Sequence, residues 1–444
     1  MIPLAPFLWA AGCVASTMGE RVTAAKFQEL DRAAQTALDR GQIAMAVERY
    51  QEMACLVPKS SRAFYGLGIA QAASRNFLAA RKSLRTAFEL LPSNVMPLAM
   101  LVRVEVASKD SEALKEVLRT AAERFPRHAE LHAGLAQFLA ANQQLDLALA
   151  ESLRAQRAGS AEASSAVALA VLENTVGAYD DAIRTAGAVE NQAGVAEEVR
   201  ASAAGVAGLC YENIGERAQA IEHLKLAIQL APQQANSYLA LAFLFEKAQK
   251  FDAAIEVLEQ GRARLPQSLE FLLPLGGNLV SAGRYPAGIE LLKELLGKVP
   301  NVPEAYMRLA EAYRNTGETA LEIQTLEKLA RARPDYPMVY VLIARAMLML
   351  NPVDYPALLR TLALAEKAAP RDADVHYLRG RAYAATGRAA EAIAAYQRAS
   401  ELRPMDPAPY YQLGLIYRKI GKSELARQAM SRMEYVKPAA QGQP

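Results

Sequence analysis

The sequence predicts an all-α fold, a solenoid of stacked helical hairpins, and three observations predict it. Prolines return at a fixed interval: Pro58, Pro92 and Pro126 are 34 residues apart, as are Pro232, Pro266, Pro300 and Pro334. Small residues recur in phase with them, at Ala34, Gly68, Ala136, Gly208, Ala242, Gly276, Ala310, Ala344, Gly380 and Gly414. Turn glycines fall between, at Gly41, Gly177, Gly215, Gly283, Gly317, Gly387 and Gly421. A period of this length marks supersecondary units that bury their apolar faces against one another.

Each element of the unit has a reason. A small side chain in the middle of the first helix lets a second helix cross closely. Twelve residues later another small place recurs, at Ala46, Ala80, Ala148, Ala182, Ala220, Ala254, Ala392 and Ala426. The glycine between them tolerates the left-handed backbone that ends a helix. The proline near the end of the unit cannot continue the second helix and punctuates the connection. After Pro334 the series resumes at Pro370, Pro404 and Pro438. Between Pro126 and Pro232 lie three periods plus four residues, with Ser160 at one proline place and a small insertion in 186–200. Twelve units result.

Composition sets limits. The chain has 444 residues, 52% hydrophobic and 22% charged, enough to bury a large core. The net charge of +3 gives no reason to expect nucleic acid as a partner, which calls for a strongly basic face. The three cysteines, Cys13, Cys55 and Cys210, have no metal or redox spacing. Cys55 and Cys210 lie several units apart, too far to pair in a linear stack, and are expected as small buried apolar residues.

Residues 1–15 are apolar and uncharged, like the core of a secretory signal, although the first charge arrives only at Glu20. Ala10-Ala11-Gly12-Cys13 is similar to a lipid-attachment site, which would make Cys13 an anchor. Export to an extracytoplasmic compartment is the preferred reading, over a start at Met18 and a cytoplasmic protein. No later stretch has the roughly 20 apolar residues of a membrane span.

The unit resembles the tetratricopeptide repeat. The clearest copies are Tyr410, Leu413, Gly414, Tyr417, Ala426 and Pro438; His376, Gly380, Tyr383, Ala392, Tyr396, Ala399 and Pro404; and Ala207, Gly208, Tyr211, Ala220, Leu224, Ala227 and Pro232. The resemblance covers residues 27–440, leaving 16–26 as a linker, and implies a right-handed superhelix. Irregularity is expected near 95–128, where Val102 and Leu114 occupy the small places. It is also expected near 163–200, which lacks large residues, and near 337–372, with its insertion around Asn351–Pro356. The last helix, carrying Met430 and Met433, is expected to expose apolar surface and to favour self-association, unless nearby Arg and Lys stems cover it.

No catalytic constellation is present: no GxSxG, HExxH, phosphate loop or dinucleotide fingerprint. His128 and His132 are four apart, but packing and capping explain them better than a metal does. No cofactor is called for, and the chain reads as a non-enzyme. Its function is expected on the groove that the family lines with its first helices. Helical periodicity assigns Leu239, Phe243 and Leu273 to an apolar middle, with Val280 beside them. It assigns Arg314, Arg345, Tyr377, Arg381, Tyr411 and Arg418 to a C-terminal part. Arg and Tyr concentrate at binding hot spots, and Arg pairs bidentately with carboxylates, so an extended protein or peptide with an acidic segment is the expected partner. The competing account pairs these arginines with Glu304, Glu311 and Asp374 on the same face. The family's carboxylate clamp, a Lys and an Asn at places five and nine of the first helix, is absent: Tyr65 and Ile69, or Leu239 and Phe243, stand there. A scaffold or adaptor is therefore the leading function. The alternative is a recognition subunit of a glycosyltransferase, polysaccharide-export or envelope-secretion complex.

Overall fold

A computed structural model describes residues 20–159, 162–334, 336 and 338–441. Among the described residues there are 24 helices and no strand. They divide into two compact units, Met1–Ala231 and Pro232–Pro444.

The first unit contains α1 (Glu20–Asp39), α2 (Ile43–Leu56), α3 (Ser61–Ala73), α4 (Phe77–Leu90), α5 (Met96–Ser108) and α6 (Ser111–Arg124). It continues with α7 (Ala129–Ala141), α8 (Leu145–Arg157), α9 (Ala163–Thr175), α10 (Tyr179–Glu190), α11 (Glu197–Asn213) and α12 (Arg217–Leu230). In each pair, α1 with α2 through α11 with α12, the two helices pack on one another, so this unit is a series of hairpins. Residues 20–26, expected as linker, are instead the first turns of α1. They are rich in helix formers, and Lys26 pairs with Glu29 one turn on, at 3.0 Å. Residues 1–15 and Cys13, expected to carry a secretory signal and a lipid anchor, lie outside the described residues.

Where Val102 and Leu114 replace small residues, both are still buried, and α5 and α6 pack less closely than α3 and α4. The Ala-rich stretch gives the opposite result: α9, α10 and α11 crowd together around Ala170, Ala182, Ala186 and Ala203. Cys210 is buried there, and burial pushes its thiol up to about 11. Cys55 is exposed and disulfide-bonded, so the expectation of a small buried apolar residue fails for it. Its position on α2 points away from the core that Met53 and Ala54 enter.

The second unit contains α13 (Ala235–Lys247), α14 (Phe251–Arg264), α15 (Leu272–Ser281), α16 (Tyr285–Lys298), α17 (Pro303–Asn315) and α18 (Thr319–Ala332). It ends with α19 (Met338–Met347), α20 (Tyr355–Ala368), α21 (Ala373–Ala385), α22 (Ala389–Leu402), α23 (Pro407–Lys419) and α24 (Ser423–Gln441). α19 has only ten residues, and a cis Asn351–Pro352 peptide lies in the connection to α20. α24 runs through Pro438, where the second helices of the other units have stopped. Met430 packs on Gly414, and the outward side of α24 carries Glu424, Arg427, Gln428, Ser431, Arg432 and Tyr435. Among the described side chains of that helix the exposed large apolar ones are Leu425 and Tyr435; Met433 is half-buried, and Met430 fills the space the glycine leaves.

The unit junctions share a hydrogen bond that the proline spacing did not announce. Tyr238 and Tyr410 each donate a hydroxyl to the carbonyl of the proline six residues earlier, both at 3.2 Å, and His376 Nε2 does the same for Pro370. In α7, His132 Nε2 donates to Phe125 at 3.1 Å while Nδ1 meets the buried Glu151 at 2.6 Å. Arg154 completes the pair with Glu151. His128 caps α7, accepting from the Leu131 amide at 3.1 Å. Both histidines therefore have structural partners.

Candidate functional site

All nine predicted groove residues lie on first helices of the second unit, and their surroundings separate them. Leu239 on α13 is half-buried, whereas Phe243 one turn later is 54% exposed, with the Lys247 ammonium 5.8 Å from its ring centre. Leu273 packs against the core formed by α15, α16 and α17. Val280, expected beside them, is buried in that same core, since α15 turns this side toward α16.

The arginines divide into two kinds. Arg345 on α19 reaches Asp374 on α21 at 2.7 Å, and Arg403 takes the other oxygen of that carboxylate at 3.0 Å. The competing account holds for Arg345: its charge is committed within the fold. Arg314, Arg381 and Arg418 are exposed and form no ion pair among the described residues. Glu311 does not pair with Arg314; it accepts from Arg308 at 3.1 Å. Tyr377 is half-buried, its ring 5.7 Å from that of Tyr396, and Tyr411 is 45% exposed.

Sequence reading missed a polar network on the same face. Asn278 donates to Glu246 at 3.1 Å and to the Pro274 carbonyl at 2.9 Å, while its own carbonyl oxygen is buried without a partner. Arg308 lies across Gly277 and approaches Glu246 at 3.9 Å. Three successive first helices, α13, α15 and α17, are tied together this way. The signal was one Asn and one Glu set in otherwise apolar helix stretches.

Next to this network α17, α18 and α19 enclose a cavity of about 520 Å³, with Arg314 at its edge and Glu322 and Leu326 from α18 in its lining. Glu322 was also missed, although it breaks the series of small residues at the second small place. Among the described residues no group of three or more His, Cys, Asp or Glu is arranged to hold a metal ion, and no helix is long and apolar enough to cross a membrane.

Hairpins of this kind, repeated and presenting one helix face, define a helical-repeat protein. Models of the tetratricopeptide repeat match residues 32–95 and 273–337, and again 201–234 and 408–439; a further model of the repeat matches 380–421. The chain is a tetratricopeptide-repeat protein, of a class whose repeats serve protein–protein interaction. No curated protein matches it in sequence. Among solved structures it is similar to the C-terminal part of a repeat-containing protein from Cytophaga hutchinsonii, at 16% identity and a TM-score of 0.48. That match covers 56% of this chain and 99% of the other. It is also similar to MamA from Desulfovibrio magneticus, at 22% identity and a TM-score of 0.36 over 38% of this chain and 96% of that one. A third likeness is to a Naa15/Naa10 assembly bound to HypK, at 14% identity and a TM-score of 0.40, over 93% of this chain and 68% of that chain.

Proposed function

We propose that this chain is a non-enzymatic scaffold that holds an extended protein segment along the first helices of residues 232–444. Carboxylates of that segment would meet Arg314, Arg381 and Arg418, with Tyr411 alongside, and its apolar side chains would meet Phe243 and Leu239. One observation carries this reading. Three exposed arginines share the face with abundant acidic residues, yet form no ion pair among the described residues, while Arg345 beside them is committed to Asp374. An arginine already paired gives up one interaction to make another; an unpaired one gains a charge-assisted bond of about 1.5–3 kcal/mol outright.

The test is affinity capture with the intact chain, followed by binding of the captured partner's own segment. Reversing charge with Arg381→Glu and Arg418→Glu should weaken that binding at least tenfold. Arg345→Ala should change it less than threefold. Equal binding by the charge-reversed chain would overturn the assignment.

A further inference from the structure

Five residues after the left-handed turn, the repeat carries its second small residue. Ala220, Ala254, Gly288, Ala392 and Ala426 stand there in the sixth, seventh, eighth, eleventh and twelfth repeats, and a buried Leu358 in the tenth. In the ninth repeat Gly317 makes the turn, and five residues later comes Glu322. A carboxyl group therefore occupies a place that the other repeats of this part of the chain fill with an apolar residue, small in all but the tenth. Glu322 is only 5% exposed, and it makes no hydrogen bond or ion pair among the described residues. Burying an unpaired carboxylate costs stability, so packing gives no reason for its presence.

The cavity supplies a reason. α15 lies directly against α17, but α17 and α19 barely touch, and the opening between them reaches down to α18. Glu322 lines that opening together with Met307, Leu326, Tyr336 and Leu342. Of the charges around it, Arg308 is committed to Glu311 and Glu246, and Arg333 is partnered as well. Uncommitted are Glu304 and Arg314, both exposed, and the buried Glu322, a balance of one negative charge. Apolar walls, an aromatic ring and a buried acid together suit a cation carried on an aliphatic stem.

We propose that this cavity is a subsite for one basic side chain, lysine or arginine, of the bound segment. The stem lies along Met307, Leu326 and Leu342, and the cationic head meets Glu322. The proposal deepens the reading above and rests on it for the source of the side chain. Burial holds the Glu322 carboxyl above its ordinary range, and the charge of Arg314 offsets this only in part. An entering cation provides the countercharge the fold withholds. A residue kept at a cost to stability is a signature of binding.

The experiment uses the intact chain with methyl-labelled methionine and follows the Met307 signal, assigned with Met307→Leu. Nα-acetyl-lysine amide should shift it saturably. Nα-acetyl-norleucine amide, which has the stem without the charge, should bind at least tenfold more weakly, and so should the lysine compound to Glu322→Gln. Glu322→Ala, which installs the residue of the sixth, seventh, eleventh and twelfth repeats, should melt at or above the temperature of the parent chain. The proposal is overturned by no response to the lysine compound, by an equal response in Glu322→Gln, or by preference for Nα-acetyl-glutamate amide. A lower melting temperature for Glu322→Ala overturns it as well, by making Glu322 a structural residue. Arg381→Glu with Arg418→Glu should leave the response intact, so failure of the wider groove is told apart from failure of this subsite.

Discussion

At Arg75, Lys109, Gln143 and Gln249 the backbone between the two helices of a repeat takes φ of 60°, 59°, 62° and 56°. Other repeats place glycine there, at Gly41, Gly215 and Gly317 for example. The geometry of the hairpin imposes the left-handed state whatever the residue, and a side chain there costs roughly 1–2 kcal/mol. Gln249→Gly should therefore stabilise the protein by about 1 kcal/mol, less the added freedom of the unfolded chain, read as a higher urea midpoint. Glu173 is a second residue at odds with its surroundings. One carboxyl oxygen is buried without a partner, and burial raises its proton affinity despite a bond from Thr185. Its folded pKa lies above its unfolded one, so the folded state holds the proton more tightly. Stability is then greatest below the ordinary carboxyl range and falls as pH rises through the folded value. In Glu173→Gln that fall should shrink, which urea titrations between pH 4 and 8 would show (about that span brackets ordinary and raised carboxyl values); an unchanged pH dependence would exclude Glu173 as its source.

Between helices, the fit of small against large sets the spacing. A Cβ added at Gly380 on α21 would lie 2.5 Å from the ring of Tyr396 on α22, which is wholly buried. The ring has little room to withdraw, because it is wholly buried and Tyr377 packs against it at 5.7 Å. Gly380→Ala should gain helix propensity but lose more to overpacking, for a net destabilisation of about 1–3 kcal/mol in urea unfolding. The same place bears on Glu322: other repeats fill it with Ala, Gly or, in the third and tenth, a buried Leu, and the ninth fills it with a carboxyl group.

Within the unit of residues 232–444, the repeats place matching residues of successive first helices on one face. Binding as proposed there would combine exposed aromatic and apolar groups with arginines that form no ion pair among the described residues. Affinity for an acidic segment should fall as salt rises from about 50 to 300 mM, since the screening length shortens over that range. The slope should flatten in the Arg381→Glu and Arg418→Glu chain. A salt-independent affinity would assign the binding to Phe243 and its apolar neighbours alone.

The fold was legible because its cause is periodic. Pro58, Gly68, Ala80 and their counterparts state the same local demand in most of the repeats, and the demand is met by neighbours close in sequence. The site was legible only in part. Periodicity put Arg345 and Arg381 on one face alike, but whether a charge is free depends on what stands opposite, and Asp374 comes from another hairpin. The same distance effect hid Arg308 with Glu246, which are about two repeats apart.

What the sequence by itself determined is the hairpin, its number and the face each residue takes, because helix period, turn chemistry and small-residue spacing are local. What only the tertiary structure decided is which of those residues remain available: Arg345 paired, Val280 buried, Glu322 left without a partner beside an opening. Those outcomes depend on how adjacent hairpins pack and where α17 and α19 part. Such packing is a property of pairs of surfaces, and no single stretch of sequence contains both members of the pair.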